Sequence, residues 1–211
     1  MKKFYLLFLA IFAYSMIGCS SIDVAISPKV DVNKKMKKII VFPFDVKGVR
    51  WGDEFSDAIT HNFVKAGKMD VVEREALSKI LKEQKLSMTG LIDEGSAVKV
   101  GKLLGADVII IGRGTALRKH VKGKPQNNLI DTLALKAINV ETGSVILTVR
   151  KEEGSAWSGK YYAMYCLGGT MIWDREDIYI KSSNYDEIAR QIVSKVSAAL
   201  DDIEKQKNLK K

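Results

Sequence analysis

The chain has 211 residues, of which 46% are hydrophobic, and a net charge of +9 from 34 Lys and Arg against 25 Asp and Glu. This length suffices for one domain with a core of its own and does not require two. With only two cysteines, the composition excludes a disulfide-stapled fold. The positive excess suggests acidic neighbours such as lipid headgroups or lipopolysaccharide, or simply a soluble basic surface.

The start of the chain has the pattern of an export signal. Two lysines follow Met1, and Phe4 to Ile17 is an apolar run of signal-peptide length, too short for a typical membrane span. Small residues before Cys19 at the end of this run resemble a bacterial lipobox. We therefore predict a lipoprotein signal peptide over residues 1–18 and lipidation of Cys19. The alternatives are an ordinary signal peptide with an incidental cysteine, or an uncleaved anchor.

Lipidation of Cys19 would fix the compartment. Ser20 stands where an aspartate would be the usual retention mark for the inner membrane, so we predict an outer-membrane lipoprotein whose domain faces the periplasm. Each buried methylene of an acyl chain contributes about 0.8 kcal/mol, so the anchor would be durable. Export argues against nucleic acid as a partner. Cys166 is then the sole remaining cysteine, which leaves no internal disulfide and no cysteine-based metal site.

Residues 19–37 are predicted to be a lipidated tether, because small, charged and apolar residues mix there without a sustained period. Lys34, Lys35, Lys37 and Lys38 form a basic cluster at its end. This cluster either contacts anionic headgroups or is the solvated entrance of the first strand.

A β–α–β pattern opens the domain. Residues 38–44 are apolar enough for a strand buried on both faces. A loop over 45–51 leads to a helix over 52–65, whose apolar residues fall on one stripe. A short strand is predicted at 69–72.

Two further helices precede the most hydrophobic strand. The first is predicted over 74–84 and the second over 97–104, with Asp93 or Ser96 as its N-cap. The strand then occupies residues 106–112.

Gly112-x-Gly114 at the end of that strand resembles part of a nucleotide-binding loop. The third glycine is absent and no helical pattern follows, so a phosphate site is disfavoured. The residues that follow, among them Arg118, Lys119, His120 and Lys122, predict an exposed basic loop.

The rest of the chain predicts a hairpin and a long helix. Strands over 130–140 and 144–150 are joined by a tight turn, and the closing helix covers 184–205 before a basic tail at 207–211. The elements together predict an α/β fold over 38–206: a single domain with a mixed sheet flanked by helices and a long C-terminal helix.

An aromatic-rich segment, Gly154 to Ser183, separates the hairpin from that helix. It predicts either membrane or subunit contact, or a covering loop with an extra strand that completes the core. Five of its Trp and Tyr side chains are proposed for contact: Trp157, Tyr161, Tyr162, Tyr165 and Trp173.

Several motifs, in order, resemble the CsgG family of bacterial lipoproteins, typified by the curli secretion channel subunit. The motifs are Ile39-Ile40-Val41-Phe42-Pro43-Phe44, Val72-Glu73-Arg74, Leu81-Lys82-Glu83-Gln84, Ser87-x-Thr89-Gly90-Leu91, Gly101-Lys102-Leu103-Leu104-Gly105-Ala106-Asp107 and Asn139-Val140-Glu141-Thr142-Gly143. The resemblance implies an α/β periplasmic domain, a lipidated N-terminal cysteine and, as in the curli member, a ring-shaped oligomer.

The chain departs from the curli member where a channel wall would be built. Thr115 to Leu129 is too short and too charged for a lipid-facing hairpin, and acidic residues interrupt Gly154 to Ser183. We therefore expect an envelope protein that acts by contact with other envelope proteins, in export or assembly of surface components. A subunit of an oligomeric outer-membrane secretion channel is the alternative, followed by a regulator of cell-wall synthesis.

Catalysis is disfavoured. His61 and His120 have no cysteine or paired acid at ligand spacing, and no Ser-His-Asp pattern is recognisable. We expect no enzymatic activity, cofactor or metal.

Overall fold

A computed structural model describes residues 22–28, 36–47, 49, 52–86, 92–121, 124–152 and 184–209. The elements are, in chain order, β1 (Ile22–Ile26), β2 (Lys38–Val41), β3 (Asp45–Lys47), α1 (Gly52–Ala66), β4 (Asp70–Val71), α2 (Arg74–Glu83), α3 (Glu94–Leu103), β5 (Val108–Val121), β6 (Lys124–Asn139), β7 (Val145–Lys151) and α4 (Tyr185–Leu209).

One mixed sheet holds all seven strands, in the order β1-β7-β6-β5-β2-β4, with β3 also paired to β5. The β2, β3 and β4 pairings are parallel, whereas β1, β7, β6 and β5 form an antiparallel series. The predicted α/β domain with a mixed sheet and a long C-terminal helix is confirmed.

Helices cover the sheet on two sides. On one side Phe55, Ile59 and Phe63 of α1 pack in a core with Ile188 and Ile192 of α4. On the other side α2 and α3 form a smaller core, whose buried residues include Leu77, Leu81, Ala97 and Val100, over β2 and the first part of β5. The apolar stripe predicted for the first helix is confirmed.

The predicted tether contributes a strand. Ile22–Ile26 pairs antiparallel with β7 and forms one edge of the sheet, and Ile22 is fully buried. The five residues alternate between the core face and the open face, but the segment is too short for the alternation to stand out in the sequence. The loop predicted over 45–51 likewise contains β3.

The prediction of a loop in the basic stretch after Gly114 is wrong. β5 continues to Val121 and β6 begins at Lys124, so this stretch belongs to one long antiparallel hairpin. Backbone hydrogen bonding holds the two strands together where their side chains supply no apolar period. We refer to residues 115–121 and 124–132 as the ribbon.

The remaining boundaries differ by a few residues. β2 ends at Val41, before Pro43, which lacks the N–H that a strand ladder needs. Asp93 is the N-cap of α3, since its Oδ1 accepts a hydrogen bond from the Ser96 N–H at 2.9 Å. α4 continues to Leu209, into the predicted tail.

Candidate membrane-facing site

Strand register defines two opposite ends of the sheet. At one end Ile22, Lys151, Leu133 and Gly114 stand side by side on four neighbouring strands. We call this end the ribbon pole, because the ribbon extends from it. The other end, where β2 and β5 begin and β6 turns into β7, we call the turn pole.

Chain segments with predicted functional residues leave the fold at the ribbon pole. Ile22, the first described residue, lies three positions after Cys19. Glu152 and Asn184 flank the aromatic-rich segment; Glu152 follows the last residue of β7, and Asn184 forms a β-bridge with Leu129 of the ribbon. Cys19 itself and the five aromatic residues proposed for contact lie outside the described residues, so their roles stay predictions.

A lysine is buried at the ribbon pole. Lys151 is 1% exposed, and its Nζ donates a hydrogen bond to the Asp131 carbonyl oxygen at 2.6 Å. Burial lowers the pKa of Lys151, and the Asp131 carboxylate offsets part of that effect. Asp131 Oδ1 is buried and accepts no hydrogen bond from any residue that the structure describes. Such burial costs stability, and perturbed groups of this kind cluster at functional sites.

A second lysine fastens the edge strand to the last helix. Lys195 of α4 donates from Nζ to the Ile22 carbonyl oxygen. Burial lowers the pKa of Lys195, while the Asp23 carboxylate acts in the opposite direction. Ile22, the described residue nearest to Cys19 in sequence, is therefore held by both β7 and α4.

The basic cluster predicted at the domain entrance ends at the other pole. The Lys37 and Lys38 backbone N–H groups donate to Asp107 Oδ2 at 2.8 and 2.9 Å. The Lys38 Nζ donates to the Leu104 carbonyl oxygen at 3.0 Å, at the end of α3. These two lysines enter β2 at the turn pole, which favours a strand entrance over contact with headgroups near the lipid.

A cleft of about 520 Å³ opens between the start of α3 and the sheet. Arg113 and Lys136 line it together with Asp45, Asp93 and Glu94. Asp93 is engaged as the helix cap, and Glu94 Oε1 lies 2.6 Å from the Lys136 ammonium. Two of these three acids, Asp93 and Glu94, are thus engaged in structural contacts.

The two glycines of Gly112-x-Gly114 are explained by packing. A Cβ on Gly112 would lie 2.1 Å from the Phe44 ring, and one on Gly114 would lie 2.5 Å from the Thr132 carbonyl oxygen. Both glycines therefore allow neighbouring groups of the fold to approach the backbone closely. This packing role accounts for them without the phosphate site that the sequence disfavoured.

Residues of the family-like motifs also have structural roles. Arg74 joins α2 to α1 through ion pairs of 2.7 Å with Asp53 and Asp57. Asn139 Oδ1 accepts hydrogen bonds from the Glu141 and Thr142 N–H groups and so shapes the turn between β6 and β7. Arg74 and Asn139 thus stabilise the scaffold at a contact between two helices and at a turn.

Sequence reasoning missed Ser56. Its buried Oγ accepts a hydrogen bond from the Phe44 N–H at 3.0 Å and lies 3.1 Å from the Phe42 carbonyl oxygen and 2.8 Å from the Gly52 carbonyl oxygen. It satisfies the backbone where Pro43 interrupts the strand. A serine on the inner face of an amphipathic helix was the available signal.

The described residues contain no metal-binding cluster and no helix that could span a membrane. No three His, Cys, Asp or Glu side chains lie close enough together there to hold a metal ion. Among the helices described, none is both long and apolar enough to cross a membrane.

Comparison with solved structures gives partial similarities. The LpoB C-terminal domain from Salmonella enterica is 16% identical, with 59% of this chain and 84% of that chain covered and a TM-score of 0.44. The PelC dodecamer from Paraburkholderia phytofirmans is 12% identical, with 82% and 96% covered and a TM-score of 0.44. Lipoprotein GNA1162 from Neisseria meningitidis is 11% identical, with 63% and 94% covered and a TM-score of 0.42.

No curated protein matches the sequence. The model of one family, described as "Curli production assembly/transport component CsgG", matches residues 27–205. This range begins directly after β1 and includes every later strand and nearly all of α4. The chain therefore belongs to the CsgG family.

Proposed function

We propose that this chain is a lipoprotein anchored in the outer membrane through Cys19, with its domain in the periplasm. In this proposal it acts by contact with other envelope proteins, in export or assembly of surface or envelope components. Membership of the CsgG family supports an envelope lipoprotein that works through protein contacts. The export signal and the serine after Cys19 support the outer membrane.

The observation that carries the proposal is the pairing of Ile22 at the ribbon pole. Only Ser20 and Ser21 separate Cys19 from β1, and three residues of extended chain span at most about 11 Å. A lipid on Cys19 would therefore hold the ribbon pole against the bilayer. Both ends of the aromatic-rich segment leave at this pole, which supports contact with the membrane or a neighbouring subunit there.

Fatty-acid labelling tests the anchor. Cells expressing the full chain or Cys19→Ala are grown with a clickable palmitate analogue, and their membranes are separated by density. The proposal expects label on the wild-type protein in the outer-membrane fraction. It expects neither label nor signal-peptide cleavage in the variant. Label on Cys19→Ala, or an unlabelled wild type, would contradict it.

A subunit of an oligomeric secretion channel is the second candidate, and the ribbon favours it. A two-stranded hairpin occupies Thr115 to Leu129, where the sequence suggested a loop. Native mass in detergent and conductance in planar bilayers separate the two functions. A stable high-mass ring that conducts ions supports the channel, and a monomer after removal of the lipid supports the contact protein.

Regulation of cell-wall synthesis becomes less favoured. A lipoprotein that crosses the periplasm to reach a synthase needs a long flexible tether between its lipid and its fold. Here two residues lie between Cys19 and β1. The distance that the protein can extend from the membrane is therefore set by the dimensions of the domain itself.

A further inference from the structure

The stretch between Asp107 and Asp131, which includes most of the ribbon, carries an excess of positive charge. No Asp or Glu occurs between Asp107 and Asp131, whereas that interval contains five Lys and Arg residues. Of these, Arg118, Lys119 and Lys124 belong to the ribbon, whereas Arg113 precedes it and Lys122 lies outside the described residues.

The turn pole lacks this asymmetry. Asp70, Asp107 and Glu141 stand there with Lys37 and Lys38. Acids and lysines thus stand side by side at the turn pole, whereas the stretch between Asp107 and Asp131 contains no acid.

The hairpin extends past the level of the predicted anchor. From Gly114, which lies level with Ile22, β5 continues seven residues to Val121. At about 3.3 Å per residue this is roughly 23 Å of strand. Cys19 can lie at most about 11 Å from Ile22. Even a strongly tilted ribbon therefore brings its distal end to the height of the lipid headgroups.

The root of the ribbon is fixed, so its direction is set by the fold. Leu129 and Ile130 are fully buried, and the Thr115 and Thr132 hydroxyl oxygens lie 2.7 Å apart across the two strands. Asn184, at the start of α4, bridges to Leu129. Four residues of β5 lie beyond the Leu117–Leu129 pair, about 13 Å of strand.

We infer that the distal ribbon binds the anionic surface of the membrane that carries the lipid anchor, by attraction between its lysine and arginine side chains and headgroup phosphates. Charge complementarity selects this partner, because the distal ribbon, residues 118–121 and 124–128, contains three Lys and Arg residues and no acid and is matched by a sheet of phosphates. The inference rests on the proposed lipid anchor for its geometry. Its test does not need the lipid.

The test uses the chain from residue 19 onward with Cys19→Ser, which retains every described residue, since these lie within 22–209. Sedimentation with vesicles of phosphatidylcholine is compared with vesicles that also contain phosphatidylglycerol. Binding is expected with the anionic vesicles alone, and it should weaken as salt is raised.

Two double variants of equal charge locate the contact. Lys119→Gln with Lys124→Gln should weaken binding about 30-fold, roughly fivefold for each cation removed from a charged surface. Lys79→Gln with Lys99→Gln removes the same charge from exposed positions on α2 and α3 and should change binding less than about twofold. Circular dichroism checks that each variant is folded.

Three results would overturn the inference: equal losses in the two double variants, equal binding to neutral and anionic vesicles, or no binding to either. An acidic protein as the true partner of the ribbon would give the third result. Failure of the lipid anchor would appear instead as unlabelled Cys19 in the fatty-acid experiment, with vesicle binding unaffected. The two proposals therefore fail separately.

Discussion

Replacing Ile22 by alanine tests whether the chain next to the predicted lipid is part of the fold. A tether residue would tolerate this change, whereas an edge-strand residue packed in the core would not. Ile22 is fully buried, paired with Lys151 across the strands and held by Lys195 through its carbonyl oxygen.

The expected loss follows from burial. Ile→Ala removes three carbon atoms, worth about 0.8 kcal/mol each on transfer from water, or roughly 2.4 kcal/mol. The cavity left behind adds to this, so we expect a free energy of unfolding lower by about 2–4 kcal/mol. Ile26→Ala is the matched control on the same strand, because Ile26 is 40% exposed. Its loss should be about 1.4 kcal/mol, with no closed cavity.

Urea unfolding of the chain from residue 19 with Cys19→Ser, followed by circular dichroism, gives both values. The midpoint for Ile22→Ala should fall by about 1–2 M. If the free energies of unfolding of both variants lie within about 0.5 kcal/mol of the parent value, residues 22–26 are a tether and not part of the fold.

Three further substitutions probe the scaffold and the buried lysine. Gly112→Ala places a methyl group 2.1 Å from the Phe44 ring and should lower the free energy of unfolding by about 1–3 kcal/mol in urea; an unchanged midpoint would contradict this packing. Ser56→Ala leaves the buried Phe44 N–H without its acceptor and should cost about 1–3 kcal/mol, whereas a neutral result would mean that another acceptor replaces Ser56 Oγ. Burial lowers the pKa of Lys151 below 10.5, so the unfolded chain binds more protons and stability should rise as pH approaches 10.5. Lys151→Met should flatten that rise, and an identical pH profile would show that burial of the amine is not its source.

The sequence predicted those elements whose side chains carry a clear apolar period. The stripe of α1, the buried strand β2 and the hairpin of β6 and β7 each bury one or both faces, so their patterns are visible locally. The N-cap Asp93 was also predictable, because its hydrogen bond spans only three residues.

The missed elements depend on distant partners. β1 pairs with β7, more than a hundred residues away, and β3 has three residues. The distal ribbon is held by backbone pairing and its polar sequence has the composition of a loop. At the candidate site, Cys19 and the basic character of Thr115 to Leu129 were visible in the sequence. The placement of Ile22 and the ribbon at one pole required the strand register.

Energy transfer from two labelled positions to the lipid surface tests the orientation of the domain most directly. The full lipoprotein with Cys166→Ser is reconstituted in vesicles that contain a headgroup acceptor dye, and a donor is attached through Glu152→Cys or Thr142→Cys. These exposed residues lie at opposite ends of β7, whose six steps span about 20 Å. If the ribbon pole faces the membrane, transfer is strong from position 152 and much weaker from position 142. Equal transfer, or stronger transfer from position 142, would contradict a ribbon pole that faces the membrane.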